Sequence, residues 1–188
     1  MKNERIKKKQ GTVKDIGLPD NLSASIHGQI LLIKGPKDEV KKEFKQHNIS
    51  ISVNDKKIFL ESKSGTKEDK KIMGSLVAHI KNMIRGSQQK HVYTLKICSG
   101  HFPMNVSISS NKLFVKNFLG EKVPRVLQLK EGADVKVEGD LIHVESANKE
   151  IAGQVSADIE QLTRRPGYDT RIFQDGCYII VKDGKVLK

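Results

Sequence analysis

The arginines of this chain are unevenly placed, and their spacing suggests chemistry toward phosphate. Three of six, Arg164, Arg165 and Arg171, fall with Tyr168 in the stretch "TRRPGYDTRIFQDG" (163–176). A guanidinium can hold a phosphate bidentately and stack on a base, and an arginine-rich loop with an aromatic ring suits unpaired RNA. The stretch therefore predicts an RNA contact. The alternative is that Arg164 and Arg165 end a helix and serve only its dipole.

The formal charge of the 188 residues is +12, which favours a polyanionic partner, with nucleic acid ahead of a membrane surface. The alternative is a basic soluble protein with a solvated lysine surface. Residues 1–90 carry 20 basic and 10 acidic side chains, whereas residues 91–188 carry 14 and 12. The run "RIKKK" (5–9) is typical of an arm that lies along phosphate, although a disordered solubilising terminus would have the same composition. For "GPKDEVKKEFK" (35–45) we favour a helix or turn with a solvated lysine face over a binding site.

The sequence has no motif that indicates catalysis or metal binding and no segment that indicates membrane insertion. The six histidines are scattered one per element, and the GxSxG, P-loop, GxGxxG and HExxH motifs are absent. Cys98 and Cys177 are isolated, which predicts reduced, packed thiols and no zinc site. No apolar run approaches the length of a membrane span, and no apolar segment follows the basic N-terminus as in a signal peptide. We therefore predict no enzyme, cofactor or metal.

The elements that must position the arginines form an internal repeat. The first half contains, in order, a strand pair (23–35), a second strand pair that turns at Asn54-Asp55 (49–62) and a helix (67–86). The second half repeats this order with a strand pair at 105–117, a second strand pair at 133–146 and a helix at 148–167. The helices align with a shift of 79 residues. Glycines recur inside both helices, at Gly74 and Gly153, where we expect close approach of helix to sheet. Phe173 and Tyr178 are predicted to pack in the core.

This repeat predicts an α+β fold of two tandem duplicated units, each a small, mainly antiparallel sheet packed against one helix. The predicted divisions are a basic N-terminal arm (1–10), a first αβ repeat (11–88) and a second αβ repeat (89–188). The second repeat also carries the arginine-bearing loop and a C-terminal hairpin, "CYIIVKDGKVLK" (177–188), with an Asp-Gly turn.

Five blocks in the same order resemble the large-subunit ribosomal protein six family in its archaeal–eukaryotic form. They are "GPKDEV" (35–40), "GSLVAHIKNMIRG" (74–86), "HFPMNV" (101–106), "NFLGEK" (117–122) and "TRIFQDGCYI" (170–179). The resemblance runs from about Ile16 to the end of the chain. Bacterial members carry a lysine- and glycine-rich loop after the second helix, where this chain has "RRPGYDTRIFQDG", so the resemblance carries over the location of the contact and not its residues.

The resemblance implies a non-catalytic constituent of the cytoplasmic ribosome that binds large-subunit rRNA mainly through its second domain. It also implies a place near the sarcin–ricin loop and the stalk base, beside neighbouring ribosomal proteins and translational GTPases. The predicted RNA-binding residues are Arg164, Arg165, Tyr168, Arg171, Lys182, Lys185 and Lys188, with Arg5, Lys7, Lys8 and Lys9 as secondary phosphate contacts. The alternative function is an extraribosomal adaptor that binds RNA or an anionic membrane surface through the polybasic N-terminus.

Overall fold

The computed structural model describes residues 11–45, 48–54, 56–169 and 171–187. The chain divides into two compact units between Gln89 and Lys90, one residue beyond the predicted boundary. We call them unit 1 and unit 2 and describe each by itself. The predicted N-terminal arm lies outside the described residues. The strands within each unit pair in the antiparallel sense, and each unit has one α-helix, which confirms the predicted α+β class.

Unit 1 has two three-stranded sheets and a long helix. Its elements are β1 (Thr12–Gly17), β2 (Ser23–His27), β3 (Ile30–Lys34), β4 (Glu39–Glu43), β5 (Ile49–Asn54), β6 (Lys57–Ser62) and α1 (Lys67–Gln88). One sheet has the order β1-β6-β5 and the other the order β2-β3-β4. Where the sequence predicts one small sheet per unit, the fold therefore has two.

Unit 2 repeats this plan and enlarges one of its sheets. Its elements are β7 (His91–Cys98), β8 (Asn105–Ser109), β9 (Lys112–Lys116), a 3₁₀ turn (Phe118–Gly120), β10 (Arg125–Gln128), β11 (Asp134–Glu138), β12 (Leu141–Ser146), α2 (Lys149–Leu162), β13 (Gly176–Lys182) and β14 (Lys185–Val186). The sheets have the orders β10-β9-β8 and β11-β12-β7-β13-β14. The strands β11-β12-β7 correspond to β5-β6-β1, as the predicted duplication requires.

Helix α1 begins with a capping box. The amide of Asp69 donates to Thr66 Oγ1 at 3.1 Å, and the Asp69 carboxylate accepts from the amide of Thr66 at 3.1 Å and from the hydroxyl of Ser64. These bonds satisfy amide groups that a helix start leaves unpaired. The helix buries Met73, Leu76, Ile80 and Met83. Ile72, the residue before Met73, is half-buried.

Helix α2 is shorter than the pattern 148–167 predicts. It begins at the Asn148 cap, whose Oδ1 accepts from the amide of Glu150 at 2.9 Å, and it ends at Leu162. The proline at position 166 explains the early end, because proline disfavours helical backbone in the residue before it. Arg164 and Arg165 consequently follow the helix as part of a loop rather than forming its last turn.

The segment 35–45 is not the helix or turn that the sequence predicts. Residues Glu39–Glu43 form β4, which pairs with β3 so that Val40 lies opposite Ile33. Val40 and Phe44 are buried. A spacing of four places two apolar residues on one face of either a helix or a strand. The strand forms because pairing with β3 satisfies its backbone and covers both side chains.

The expected close approach of helix and sheet holds at one of the two helical glycines. A Cβ built on Gly153 would lie 3.4 Å from the hydroxyl oxygen of Tyr93, so this glycine lets α2 pack close to β7. A Cβ on Gly74 would meet nothing within 4 Å. The two glycines align in the repeat, yet only the glycine of unit 1 has open space where a side chain would lie.

The capping box makes the stability of α1 pH-dependent. Hydrogen bonds from Ser64 and Thr66 lower the pKa of Asp69 from 3.8 to about 2. The ionised carboxylate therefore stabilises the helix fully above the unfolded-state pKa of about 4, and this contribution is lost as pH falls through about 2. We expect Asp69→Asn to increase amide hydrogen exchange in α1 at pH 6, with little difference from wild type near pH 2.

Hydrogen exchange of peptides from α1, measured by mass spectrometry, tests this expectation. Glu68→Gln is the matched control, because Glu68 is an exposed acid of the same helical turn. A difference between Asp69→Asn and wild type that stays constant from pH 6 to pH 2 would contradict the assignment.

Candidate nucleic-acid interface

The loop between α2 and β13, residues 163–176, is closed at its base by side-chain hydrogen bonds. Thr163 Oγ1 accepts from the amide of Cys177 at 2.9 Å and donates to the carbonyl of Glu160 at 3.2 Å. The Glu160 carboxylate accepts from the amide of Ile179 at 3.1 Å. The helix end and the strand start are thereby held together, so the loop begins and ends on rigid elements. Thr170 lies outside the described residues.

A buried carboxylate ties this loop to the segment after β7. Asp175 Oδ1 accepts from the amides of Gly100 at 2.7 Å and His101 at 3.0 Å, and Oδ2 lies 2.6 Å from His101 Nδ1. Burial would raise the pKa of Asp175, but the hydrogen bonds from His101 and Gly100 outweigh burial and leave this pKa below its usual value. Asp175 therefore remains ionised near neutral pH and fixes the end of the loop.

Three rings and a guanidinium continue outward from this anchor. The His101 ring stacks on Phe173 with centroids 4.8 Å apart, and Phe173 meets Tyr168 edge to face at 4.9 Å. The guanidinium of Arg165 lies 4.7 Å from the centre of the Tyr168 ring. Aromatic pairs of this geometry contribute about 0.5–1.5 kcal/mol each beyond area burial. Tyr168 and Arg165 are therefore held in place at the surface.

Arg125 supports the same loop from β10 and is not among the residues predicted from the sequence. Its Nε and Nη2 donate to the two carboxylate oxygens of Glu121 at 2.8 and 2.7 Å, and its Nη1 donates to the carbonyl of Leu162 at 2.6 Å. Its guanidinium also lies 4.3 Å from the centre of the Phe118 ring. Arg125 thus binds a free carbonyl at the C-terminal end of α2, a position that favours cations. The available signal was a lone arginine four residues after a glutamate.

Glu121 joins Arg125 to Arg165. Its Oε1 lies 3.3 Å from Arg165 Nη1, while Arg125 holds the carboxylate from the other side. Hydrogen bonding to Arg125 lowers the pKa of Glu121, although partial burial opposes this. One carboxylate therefore stands between two guanidinium groups. Arg165 keeps part of its charge available, with a side chain about one-third exposed.

The two remaining arginines of the predicted set differ in how free they are. Arg164 is exposed, and within the described ranges its side chain has no ion pair. Arg171 is 88% exposed and pairs with its neighbour Asp169, with Nε–Oδ1 and Nη2–Oδ2 distances of 3.1 and 2.8 Å. Arg171 lowers the pKa of Asp169. Because exposed ion pairs contribute at most about 1 kcal/mol, a phosphate could replace Asp169 as the partner of Arg171.

A cleft of about 460 Å³ lies at the end of α2. Its walls include Arg164, Arg165, Tyr168, Phe173 and Tyr178. The sequence predicts that Phe173 and Tyr178 pack in the core. This prediction is wrong for Tyr178, which is 39% exposed. Phe173 is only half-buried and lies between His101 and Tyr168. Successive side chains of a strand point to opposite faces, so the burial of Cys177 leaves the next residue of β13, Tyr178, on the exposed face. The cleft offers guanidinium donors and ring faces, the groups that bind phosphate and bases.

The C-terminal hairpin forms as predicted but lies apart from this cleft. Lys182 and Lys185 are exposed and directly opposite each other, joined by Asp183 and Gly184, whose positive φ angles suit a tight hairpin turn. The hairpin lies at the far end of β13, about 20 Å along the strand from the loop. Lys188, Arg5, Lys7, Lys8 and Lys9 lie outside the described residues. The predicted residues therefore form two patches in unit 2.

The described residues contain no candidate metal site, disulfide or membrane-spanning helix. Across the described part of the chain, no group of three or more His, Cys, Asp and Glu side chains could hold a metal ion. Cys98 and Cys177 are free thiols, and burial raises the pKa of Cys177 to about 12. No helix of the described residues is long and apolar enough to cross a membrane.

The role of Arg125 as a support can be measured through stability. Hydrogen bonds to charged groups contribute about 1.5–3 kcal/mol each, so we expect Arg125→Ala to lower the free energy of unfolding of unit 2 by about 2 kcal/mol. Arg125→Lys should lower the free energy of unfolding by nearly as much, because an ammonium group cannot bind Glu121 bidentately. Arg171→Ala is the exposed control and should change it by less than about 0.5 kcal/mol.

Urea unfolding followed by tyrosine fluorescence makes this measurement. The chain has no tryptophan, and its three tyrosines, Tyr93, Tyr168 and Tyr178, all lie in unit 2. Equal stability of Arg125→Ala and Arg171→Ala would show that Arg125 does not support the loop.

Comparisons with known proteins place the chain in a family. The sequence profile described as ribosomal protein L6 matches residues 18–90 and 102–176, one segment in each unit. The chain is similar to a large ribosomal subunit protein uL6 of Methanococcus vannielii, with 41% identity over 92% of this chain and 95% of the relative. A protein of the same name from Nanoarchaeum equitans is 43% identical over 91% and 93%, and one from Saccharolobus solfataricus is 41% identical over 90% and 94%. These matches confirm the resemblance of the five sequence blocks: the chain belongs to the ribosomal protein L6 family.

Proposed function

We propose that this chain is a structural, non-catalytic constituent of the large ribosomal subunit in the cytoplasm, and that unit 2 binds large-subunit rRNA. The observation that carries the proposal is the cleft at the end of α2, where Arg164, Arg165 and Tyr168 are presented on a fixed frame. The relatives named above are large-subunit proteins and match nearly the whole chain. Both lines of support agree with a role in which binding, not reaction, is the function.

The chemistry of the cleft suits a folded RNA surface. Arg164 and Arg165 can bind phosphate oxygens, and the half-exposed face of Tyr168 can stack on an unpaired base or a sugar. Because Asp175, Glu121 and Arg125 hold the loop before RNA arrives, less conformational entropy is lost on binding. Arg171 would exchange Asp169 for a phosphate at the edge of the same surface.

The hairpin would provide a second contact on the RNA. Lys182 and Lys185 face each other across β13 and β14, and like charges in such a position repel. A phosphate between them would remove that repulsion. Together with the cleft, about 20 Å away, the hairpin would fix the orientation of unit 2 on helical RNA, with Lys188 and the basic N-terminal residues Arg5, Lys7, Lys8 and Lys9 as further phosphate contacts.

The finer location follows from the family resemblance. We propose a position near the sarcin–ricin loop and the base of the stalk, where translational GTPases dock. Unit 1 would then serve neighbouring ribosomal proteins rather than the principal rRNA contact. This accounts for the placement of the geometrically defined arginines in unit 2, even though residues 1–90 carry the larger net charge.

Binding to large-subunit rRNA fragments across a salt series tests the proposal. Each phosphate contact contributes about 0.9 to the slope of log affinity against log salt on a duplex. We expect Arg164→Ala/Arg165→Ala/Arg171→Ala to lose fragment-selective binding and to lower this slope by about two to three. The charge-matched control is Lys112→Ala/Lys116→Ala/Lys136→Ala, which removes three exposed lysines outside the candidate interface and should preserve selectivity.

Deletion of residues 1–9 is measured in the same series, because the alternative adaptor would bind through its polybasic N-terminus. We expect the deletion to weaken affinity without changing which fragment is preferred. If the arginine variant binds like wild type while the deletion removes all binding, the loop is not the rRNA contact and the adaptor function is favoured.

A further inference from the structure

Strand β1 of unit 1 lies at the edge of its sheet, whereas its counterpart in unit 2 is enclosed. β7 pairs with β12 on one side and with β13 on the other. β1 occupies the equivalent place, since Ile16 pairs with Ile58 as Leu95 pairs with Ile142. In the described chain β1 pairs with β6 alone. Among the described residues of unit 1, no strand takes the position that β13 fills in unit 2.

The backbone of β1 presents hydrogen-bonding groups on that side. The amide of Leu18 donates to the carbonyl of Lys56 at 2.8 Å, so even-numbered residues point their backbone groups toward β6. Successive residues of a strand alternate in this respect. The N–H and C=O groups of Val13, Asp15 and Gly17 are consequently directed away from β6. In unit 2 the equivalent carbonyl, on Val92, accepts from the amide of Asp183 at 2.9 Å.

A groove of about 570 Å³ runs beside this edge, between β1 and α1, and we call it the β1 groove. It is lined by residues 13–17 and by Pro19, Val77, Lys81 and Ile84. Val77 and Ile84 are only partly buried, and Gly74 on the same helix faces open space. In unit 2 the equivalent volume holds β13, which packs against α2. The groove thus offers a strand edge on one side and the partly buried apolar side chains of Val77 and Ile84 on the other.

The charge of the groove differs from that of its filled counterpart. With the repeat shift of 79 residues, Lys81 aligns with Glu160, whose carboxylate accepts the amide of Ile179 in β13. Lys14 aligns with Tyr93, which lies opposite Lys182 of β13. Lys14 and Lys81 are both exposed. The Asp15 side chain belongs to the opposite face of the sheet, where it pairs with Lys57 at 3.3 Å.

We propose that the β1 groove binds an extended segment of a partner protein that adds a strand to β1 and carries acidic side chains toward Lys14 and Lys81. Strand addition would pair the free backbone groups of Val13, Asp15 and Gly17. The acidic character follows from charge complementarity. That the partner is a neighbouring protein of the ribosome rests on the proposed function, but the binding itself does not.

The other occupants suit the groove less well. In a second copy of this chain, pairing of two β1 edges would bring Lys14 near its own counterpart, and such lysines discourage edge pairing between copies. The N-terminal residues Lys7, Lys8 and Lys9 carry the same charge as the groove. RNA would be attracted to the lysines but would leave the strand edge unpaired and the apolar wall of Val77 and Ile84 exposed.

A peptide derived from β13 provides the probe. Its sequence is that of Gly176–Lys182 with Cys177→Ser, acetylated and amidated, made either with K182E or with lysine kept at that position. Because position 182 aligns opposite Lys14, the glutamate peptide should bind the full-length chain about fivefold more tightly than the lysine peptide, the factor expected of an exposed ion pair. The chain variant Lys14→Glu should reverse this order, and Lys71→Glu, on the exposed face of α1, should not.

Nuclear magnetic resonance of the full-length chain locates the binding. The glutamate peptide should shift the amide signals of residues 13, 15 and 17, and N-methylation of alternate peptide residues should abolish the shifts by removing its hydrogen bonds. The inference is overturned if these amides do not respond, if both peptides bind both chain variants equally, or if an rRNA fragment shifts the same amides and displaces the peptide.

The outcome is separable from that of the proposed function. The variant Arg164→Ala/Arg165→Ala/Arg171→Ala should bind the glutamate peptide as wild type does, because its substitutions lie in unit 2. Peptide binding without selective rRNA binding would refute only the proposed function, and the reverse would refute only the strand-addition site.

Discussion

The interaction on which the candidate interface depends is the one between Arg125 and the end of α2. A helix ends with carbonyl groups that have no partner in the helix, and here the Leu162 carbonyl accepts from the Arg125 guanidinium at 2.6 Å. The same guanidinium is fixed by Glu121 and lies over the ring of Phe118. Since the loop begins at Thr163, its starting direction is set by Arg125, whose Nη1 also lies 3.4 Å from the carbonyl of Arg164 in the loop itself.

The charges of the interface are balanced rather than simply accumulated. Glu121 stands between Arg125 and Arg165, and Asp169 holds Arg171. Such carboxylates lower the repulsion among arginines that lie close together, and they keep each guanidinium in one orientation. Arg164, which has no ion pair among the described residues, is the most available cation. Net charge alone would favour unit 1 as the RNA-binding unit. The arginines that other side chains hold in fixed positions, however, lie in unit 2.

Duplication has produced two units with the same plan and different edges. The central strand of unit 2 is enclosed by β13, which also connects the loop 163–176 to the hairpin. The corresponding edge in unit 1 is left without a described partner, and Lys81 stands where Glu160 receives a backbone amide of β13. One copy therefore completes its own sheet with β13, while among the described residues the other has a groove beside its edge strand. The proposed contacts of the two units differ for this reason.

The sequence by itself determined the α+β class, the duplication, both helices and the loop in which arginine is concentrated, because these follow from local periodicity and composition. It also indicated the family, through blocks such as "NFLGEK" that need no structure to be compared. Segment 35–45 was misjudged because Val40 and Phe44 suit a helix or a strand, and only pairing with β3 selects the strand. Asp175 and His101 could not be found, since their partners lie 74 to 75 residues away in the chain. For Arg125 the only local signal was Glu121 four residues before it, while the Leu162 carbonyl lies 37 residues away. Tertiary structure alone decided that Arg125 and Asp175 hold the loop, which rings face solvent and which strand edge lacks a partner among the described residues, because each depends on contacts between distant segments.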